Sequence, residues 1–125
     1  MSINQLMYEQ TLRDGLKVFH DAIGGADVPL HTLSFFLAIN EKTPPKVSDM
    51  GKLFPELSSA TLTRNCQILT ATSKTRKDGG FALCEYIHDP ADRRVKYIHL
   101  TKFGKEVRER MFISGVRFLN ETISA

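Results

Sequence analysis

Four histidines and two cysteines are the side chains of this 125-residue chain best suited to hold a metal or to serve a nucleophile and its base. His20 and His31 stand in separate segments, far from the others. Cys84, His88 and His99 fall close together, and on a strand positions 84 and 88 share a face, so these three could meet. Zinc sites, however, favour paired ligands at spacings such as C-x-x-C, and the sequence contains no such pair. Neither a G-x-S-x-G nucleophile elbow, a phosphate-cradling loop nor a dinucleotide fingerprint occurs; Gly79-Gly80 reads as a turn. Cys66 falls at an inward position of a helical stretch, where a thiol packs rather than senses oxidants. Neither a metal, a cofactor nor a catalytic centre is expected, which argues against an enzyme.

Charge is the stronger signal. Residues 1–59 hold 5 Lys/Arg against 7 Asp/Glu, whereas residues 60–110 hold 11 against 6. The excess gathers in two clusters, Lys74/Arg76/Lys77 and Arg93/Arg94/Lys96. Basic patches of this kind favour a polyanionic partner through phosphate contacts and counterion release. The composition, 42% hydrophobic and 25% charged, is that of a soluble globule. No apolar run approaches the ~20 residues of a membrane span. The segment Met1–Gln5 lacks the basic and apolar regions of an export signal, and two cysteines make no disulfide framework. A cytoplasmic, nucleoid-associated protein of one domain is expected.

The elements that must position these charges follow from periodicity. Residues 2–23 read as a helix with Leu12, Leu16, Phe19 and Ile23 on one face, ended by Gly24-Gly25. Pro29 opens a second helix over 30–41, striped by Leu30, Leu33, Phe36 and Leu37 and stopped by Thr43-Pro44-Pro45. A short helix over 47–54 turns Val47, Met50, Leu53 and Phe54 inward. After the turn Pro55-Glu56-Leu57, Ser58 caps a helix over 59–72 whose inward positions are Leu62, Cys66 and Leu69. Phe81–His88 and Val95–Leu100 are strand-forming runs joined by the turn sequence Asp89–Arg94, which makes a hairpin with a basic tip. Thr101 caps a last helix over 102–123, faced by Phe112, Val116, Leu119 and Ile123.

Helix, helix, helix-turn-helix, basic hairpin, helix: the expected fold is mainly α with a small β-hairpin wing. This α+β arrangement is a winged helix-turn-helix with extra helices at both ends. At the hairpin the sequence becomes specific. Asp92-Arg93-Arg94, five residues, then Leu100-Thr101-Lys102-Phe103-Gly104 resembles the MarR-family pattern D-x-R, five residues, L-T-x-x-G. Ser58-Ser59-Ala60-Thr61-Leu62-Thr63-Arg64 is similar to that family's S-x-x-x-L-T-R, and the helix order matches over nearly the whole chain. The turn Phe54–Leu57 lacks the usual glycine, and Thr70–Gly80 is longer and more basic than the family's link.

The resemblance implies a dimeric transcriptional regulator that reads duplex DNA, with residues 30–104 as the DNA-binding core and 2–23 and 105–123 as dimerisation helices. In the major groove the recognition helix presents Ser59, Thr61, Thr63, Arg64 and Gln67, with Asn65 beside them. Arg93 or Arg94 reaches the adjacent minor groove, Arg94 being the one placed to pair with Asp92. Lys96, Lys74, Arg76 and Lys77 are phosphate contacts. Asp92, Leu100, Thr101 and Gly104 are wing scaffolding. Leu12, Leu16, Phe19, Ile23, Phe112, Val116, Leu119 and Ile123 form the expected homodimer interface. The expected partner is a palindromic operator, and the family's habits add a small aromatic anionic effector near Phe19, Phe35 and Phe36, side chains that core packing also explains. Two other readings remain open: a winged-helix protein-interaction module that turns its basic face to an acidic partner, and a nucleic-acid binder without sequence preference.

Overall fold

Ser2 starts the first helix, α1 (Ile3–Ala22), by a reciprocal exchange. Its hydroxyl accepts the Gln5 amide at 3.2 Å, and the Gln5 side chain accepts the Ser2 amide at 2.9 Å. The helix ends where Gly24 and Gly25 adopt φ of 67° and 74°, a left-handed turn open to residues without a Cβ. The computed structural model describes the backbone of residues 2–71 and 80–124, and side chains as far as Gly115 in the last helix. After α1 come α2 (Leu30–Ala38), α3 (Val47–Leu53), α4 (Ser59–Leu69), the strands β1 (Cys84–His88) and β2 (Lys96–Leu100), and α5 (Lys102–Ser124). The mainly α architecture with one antiparallel hairpin is therefore the fold. No helix among the described residues is long and apolar enough to cross a membrane.

Among the boundaries that differ from the sequence-based expectation, four have a clear local reason. α2 stops at Ala38 rather than 41, because Ile39 turns extended and the Asn40 carboxamide accepts the Lys42 and Thr43 amides. α4 stops at Leu69 rather than 72, since Thr70 is extended (ψ 175°). Phe81–Leu83 do not extend β1, because their amides turn back to α4: Phe81 bonds the Ile68 carbonyl and Leu83 the Leu69 carbonyl, with Ala82 at φ 56°. Val95 stays in the turn, its amide held by the Asp92 carbonyl.

The described chain divides into two units, residues 27–105 and residues 1–26 with 106–125. In the first, α2 packs on α4, and α3 on α4 and β2. Its core is Phe35, Phe36, Ile39, Met50, Cys66, Ile68, Leu69, Leu83, Cys84, Ile98 and Leu100, all buried. The expected α2 stripe is corrected: Leu30 (77% exposed) and Leu37 face solvent, because the inward face is Thr32, Leu33, Phe35, Phe36 and Ile39. Leu53 is likewise exposed, as Met50 is buried and the Phe54 ring stacks on Phe35 at 4.4 Å. In the second unit α1 and α5 run antiparallel and approach closely. A Cβ on Gly115 would lie 2.7 Å from Thr11 Cγ2, and one on Gly15 would lie 3.8 Å from Met111 Cε.

Gly104 sits in the first turn of α5, where Thr101 Oγ1 accepts its amide at 3.0 Å. A Cβ there would fall on the Leu83 carbonyl oxygen, 3.0 Å from the carbonyl carbon, and backbone cannot swing aside as a side chain does. Gly104→Ala is expected to cost about 1–3 kcal/mol in urea denaturation by overpacking. Gly15→Ala, whose Cβ meets only ordinary contact, should instead gain up to about 1 kcal/mol of helix propensity.

Candidate functional site

α3 and α4 form the helix-turn-helix. The Leu57 amide closes the turn on the Phe54 carbonyl at 3.1 Å. Ser58 Oγ then accepts the Thr61 amide at 3.2 Å and lies 3.0 Å from the Thr61 hydroxyl, which ties down the first turn of α4. Gly51 lets the helices approach: a Cβ there would stand 3.3 Å from Leu62 Cδ1. With Asn65, Cys66, Ile68 and Leu69 buried, α4 leaves Ser59, Thr61, Thr63 and Arg64 exposed and Gln67 half-buried. The expectation that Asn65 faces outward is corrected. Its carboxamide points inward, accepting the Thr32 hydroxyl of α2 at 2.7 Å and donating to the Thr61 carbonyl at 2.9 Å. Position could have signalled this, since 62, 65, 66 and 69 are the i, i+3, i+4, i+7 slots of one face.

The hairpin pairs Cys84 with Leu100 through His88 with Lys96, and Pro45 and Lys46 lie along the outer edge of β2. Its tip is held by two carboxylates. Asp89 Oδ1 accepts the Ala91 and Asp92 amides at 2.8 and 3.3 Å. Asp92 grips Arg94 through Nε at 3.1 Å, Nη2 at 3.2 Å and the backbone amide at 3.1 Å. Those bonds from the Arg94 side chain and amide hold the Asp92 carboxyl below the usual carboxylate range. Arg94 is thus committed within the turn, while Arg93 beside it is exposed and makes no ion pair among the described residues.

Two contacts were not legible in the sequence. His88 Nδ1 lies 2.9 Å from the Arg93 carbonyl, which can only accept, so that nitrogen carries the proton and the ring braces the tip. Lys96 Nζ sits 4.7 Å above the Tyr86 ring, a cation–π contact that stations its charge on the hairpin face. Together with Lys46 and Arg94, Lys96 borders a surface cleft of about 380 Å³ between the start of α3 and the hairpin.

The remaining expected residues fall as follows. Lys74, Arg76 and Lys77 lie outside the described residues, as do the side chains of Val116, Leu119 and Ile123. Leu12, Leu16 and Phe112 are exposed, whereas Phe19 and Ile23 are only 4% and 5% exposed within a single chain and have almost no surface left for a partner. Phe35 and Phe36 are core. The possible meeting of Cys84, His88 and His99 is corrected by the register. Cys84 and His88 share a face, but His99 lies on the other, where its Nε2 is 3.1 Å from Glu85 Oε1. The described residues contain no cluster of three or more metal-ligating side chains.

Cys66 and Cys84 are buried free thiols. Burial pushes the Cys66 thiol up to about 11, against a smaller downward pull from the Lys96 charge. The folded protein therefore holds this proton more tightly than the unfolded chain does. The resulting stabilisation is complete below the ordinary thiol value of 9.0 and is lost as pH rises through about 11. Denaturation midpoints measured across that range should fall more steeply for the native chain than for Cys66→Val. At neutral pH a thiol-disulfide reagent should modify Cys66 only after unfolding.

No protein-family model matches the sequence, nor does any curated protein. Three solved structures share its fold along almost the whole chain. Transcriptional regulator Tm0710 from Thermotoga maritima is 20% identical, with 98% of this chain and 75% of that one covered at a TM-score of 0.70. MarR is 16% identical over 98% and 82% of the two chains, at 0.55. BpsR of Bordetella bronchiseptica, whose DNA binding is regulated by 6-hydroxynicotinic acid, is 21% identical over 97% and 79%, at 0.50. The chain accordingly has the winged helix-turn-helix fold of the MarR-type transcriptional regulators.

Proposed function

We propose that this protein is a non-enzymatic, dimeric regulator of transcription that reads duplex DNA with α4 in the major groove and the β1–β2 hairpin against the neighbouring minor groove. The observation that carries this reading is the pairing of an outward polar face on α4, held from behind by a buried one, with a hairpin whose braced tip engages Arg94 and leaves Arg93 exposed. The shared fold with transcriptional regulators supports it. Arg64 takes guanine, whose two major-groove acceptors match the guanidinium fork. Ser59, Thr61 and Thr63 reach base edges or phosphates, and Gln67 reaches adenine. Lys96, Lys74, Arg76 and Lys77 take phosphates. Arg94, engaged by Asp92, holds the wing in shape.

Assembly rests on the second unit. Leu12, Leu16 and Phe112, together with Leu6, Tyr8 and Ile113, expose a run of large apolar side chains that a second copy would cover. Phe19 and Ile23, buried within one chain, serve their own chain. A two-fold dimer places its recognition helices about one helical turn apart on one face of a palindromic operator. The regulation of BpsR by 6-hydroxynicotinic acid supports a small aromatic anion as effector here.

Selection from a random duplex pool should return a palindrome, whereas recovery of no sequence would reject the reading. On the selected duplex Arg64→Ala should lose about 1–3 kcal/mol by anisotropy and relax preference at one base pair per half-site. Arg93→Ala should weaken binding with a reduced salt slope and affect only A·T-rich flanks. Light scattering should report twice the chain mass of 14.1 kDa, and Leu12→Glu/Leu16→Glu should return it to one.

A further inference from the structure

We propose that the buried Thr32–Asn65 pair is the positioning element of α4, setting the angle at which its first turn is presented to DNA. The inference rests on the reading of α4 as the helix that enters the major groove. Thr32 and Asn65 are 0% and 1% exposed, on helix faces whose other buried members are Leu33, Phe35, Phe36, Cys66, Ile68 and Leu69. Apolar contact between α2 and α4 is non-directional and tolerates rotation, whereas a hydrogen bond weakens steeply once misaligned.

The geometry leaves the carboxamide one orientation. The Thr61 carbonyl can only accept, so Asn65 Nδ2 faces it at 2.9 Å, which turns Oδ1 to the Thr32 hydroxyl at 2.7 Å. Thr32 is thereby linked through Asn65 to the backbone of Thr61, the residue whose amide Ser58 also holds. If α4 rotated on α2, a buried hydroxyl and a buried amide oxygen would both lose their partners far from water. A polar pair in this place specifies one arrangement where an apolar pair of similar volume would allow several.

The test compares Thr32→Val/Asn65→Leu, which removes both partners together, with Thr32→Ser, which keeps the hydroxyl. Three quantities are measured for each: thermal unfolding, the ratio of affinities for the selected and a scrambled duplex, and residual dipolar couplings of α2 and α4 amides. The double variant should unfold cooperatively and bind the scrambled duplex as the native chain does. Its discrimination ratio should fall on the order of tenfold, the worth of one misplaced base contact, and its α4 couplings should report a rotation relative to α2. Thr32→Ser should keep the native ratio and couplings. A folded double variant with an unchanged ratio or unchanged couplings overturns the proposal. If the double variant does not fold, Thr32→Val is read by the same criteria. Should the native chain bind no duplex, the DNA reading falls, and the couplings alone decide whether the pair sets the angle of α4.

Discussion

The backbone of Leu83 joins three parts of the unit formed by residues 27–105 at one point. Its amide donates to the Leu69 carbonyl at the end of α4, and its carbonyl accepts the Thr101 amide at the start of α5. The same carbonyl occupies the space a side chain on Gly104 would need, and the Leu83 side chain is itself fully buried. One residue earlier, the Ala82 carbonyl accepts the Thr101 hydroxyl at 2.7 Å. These bonds satisfy backbone groups that would otherwise be stranded at the end of one helix and the beginning of another. They also bring the base of the hairpin beside the end of α4. The hairpin therefore leaves the core from a fixed place, and its distance from the exposed face of α4 is a property of the backbone.

From that base outward the hairpin is shaped by electrostatics rather than by burial. Two strands of five residues are marginal in isolation, and here Met50-bearing α3 and the Pro45–Lys46 edge support β2. Beyond them the tip has only its own polar groups. Asp89 and Asp92 act as acceptors for backbone amides, and Asp92 also takes the Arg94 fork, so one of two adjacent arginines is consumed in making the turn. The carbonyl of Arg93 is braced by His88. Such a tip ties the Arg94 side chain to Asp92 and leaves Arg93 exposed beside it.

Thr101, Leu30, Leu37 and Asn65 show how far local patterns reach and where they stop. Thr101 was legible as a cap and is one, because capping needs only a hydroxyl and an amide three residues on. Leu30 and Leu37 belong to the stripe that periodicity turns inward, yet they face solvent. Their spacing is helical either way, and which side of α2 turns inward depends on the neighbours it meets. Asn65 was grouped with the outward polar residues on the strength of its side-chain chemistry, although its slot in the helix is an inward one. The amide oxygen finds its partner there in Thr32, 33 residues earlier, and no local pattern connects the two.

The sequence by itself determined the order and type of the elements, the caps that start α4 and α5, the D-x-R and L-T-x-x-G signature of the hairpin, and the gathering of positive charge in the second half of the chain. These are consequences of near-neighbour chemistry: periodic burial, a hydroxyl over a free amide, a carboxylate two residues from an arginine. Tertiary structure alone decided which face of α2 is buried, that α4 is keyed to α2 through Asn65, and that Cys84 and His99 lie on opposite faces of the hairpin. Each of those depends on strand register or on a contact between segments distant in the chain. A shift of one residue in register exchanges the two faces of a strand, and a rotation of a helix by one position exchanges a buried group for an exposed one, without altering the sequence pattern.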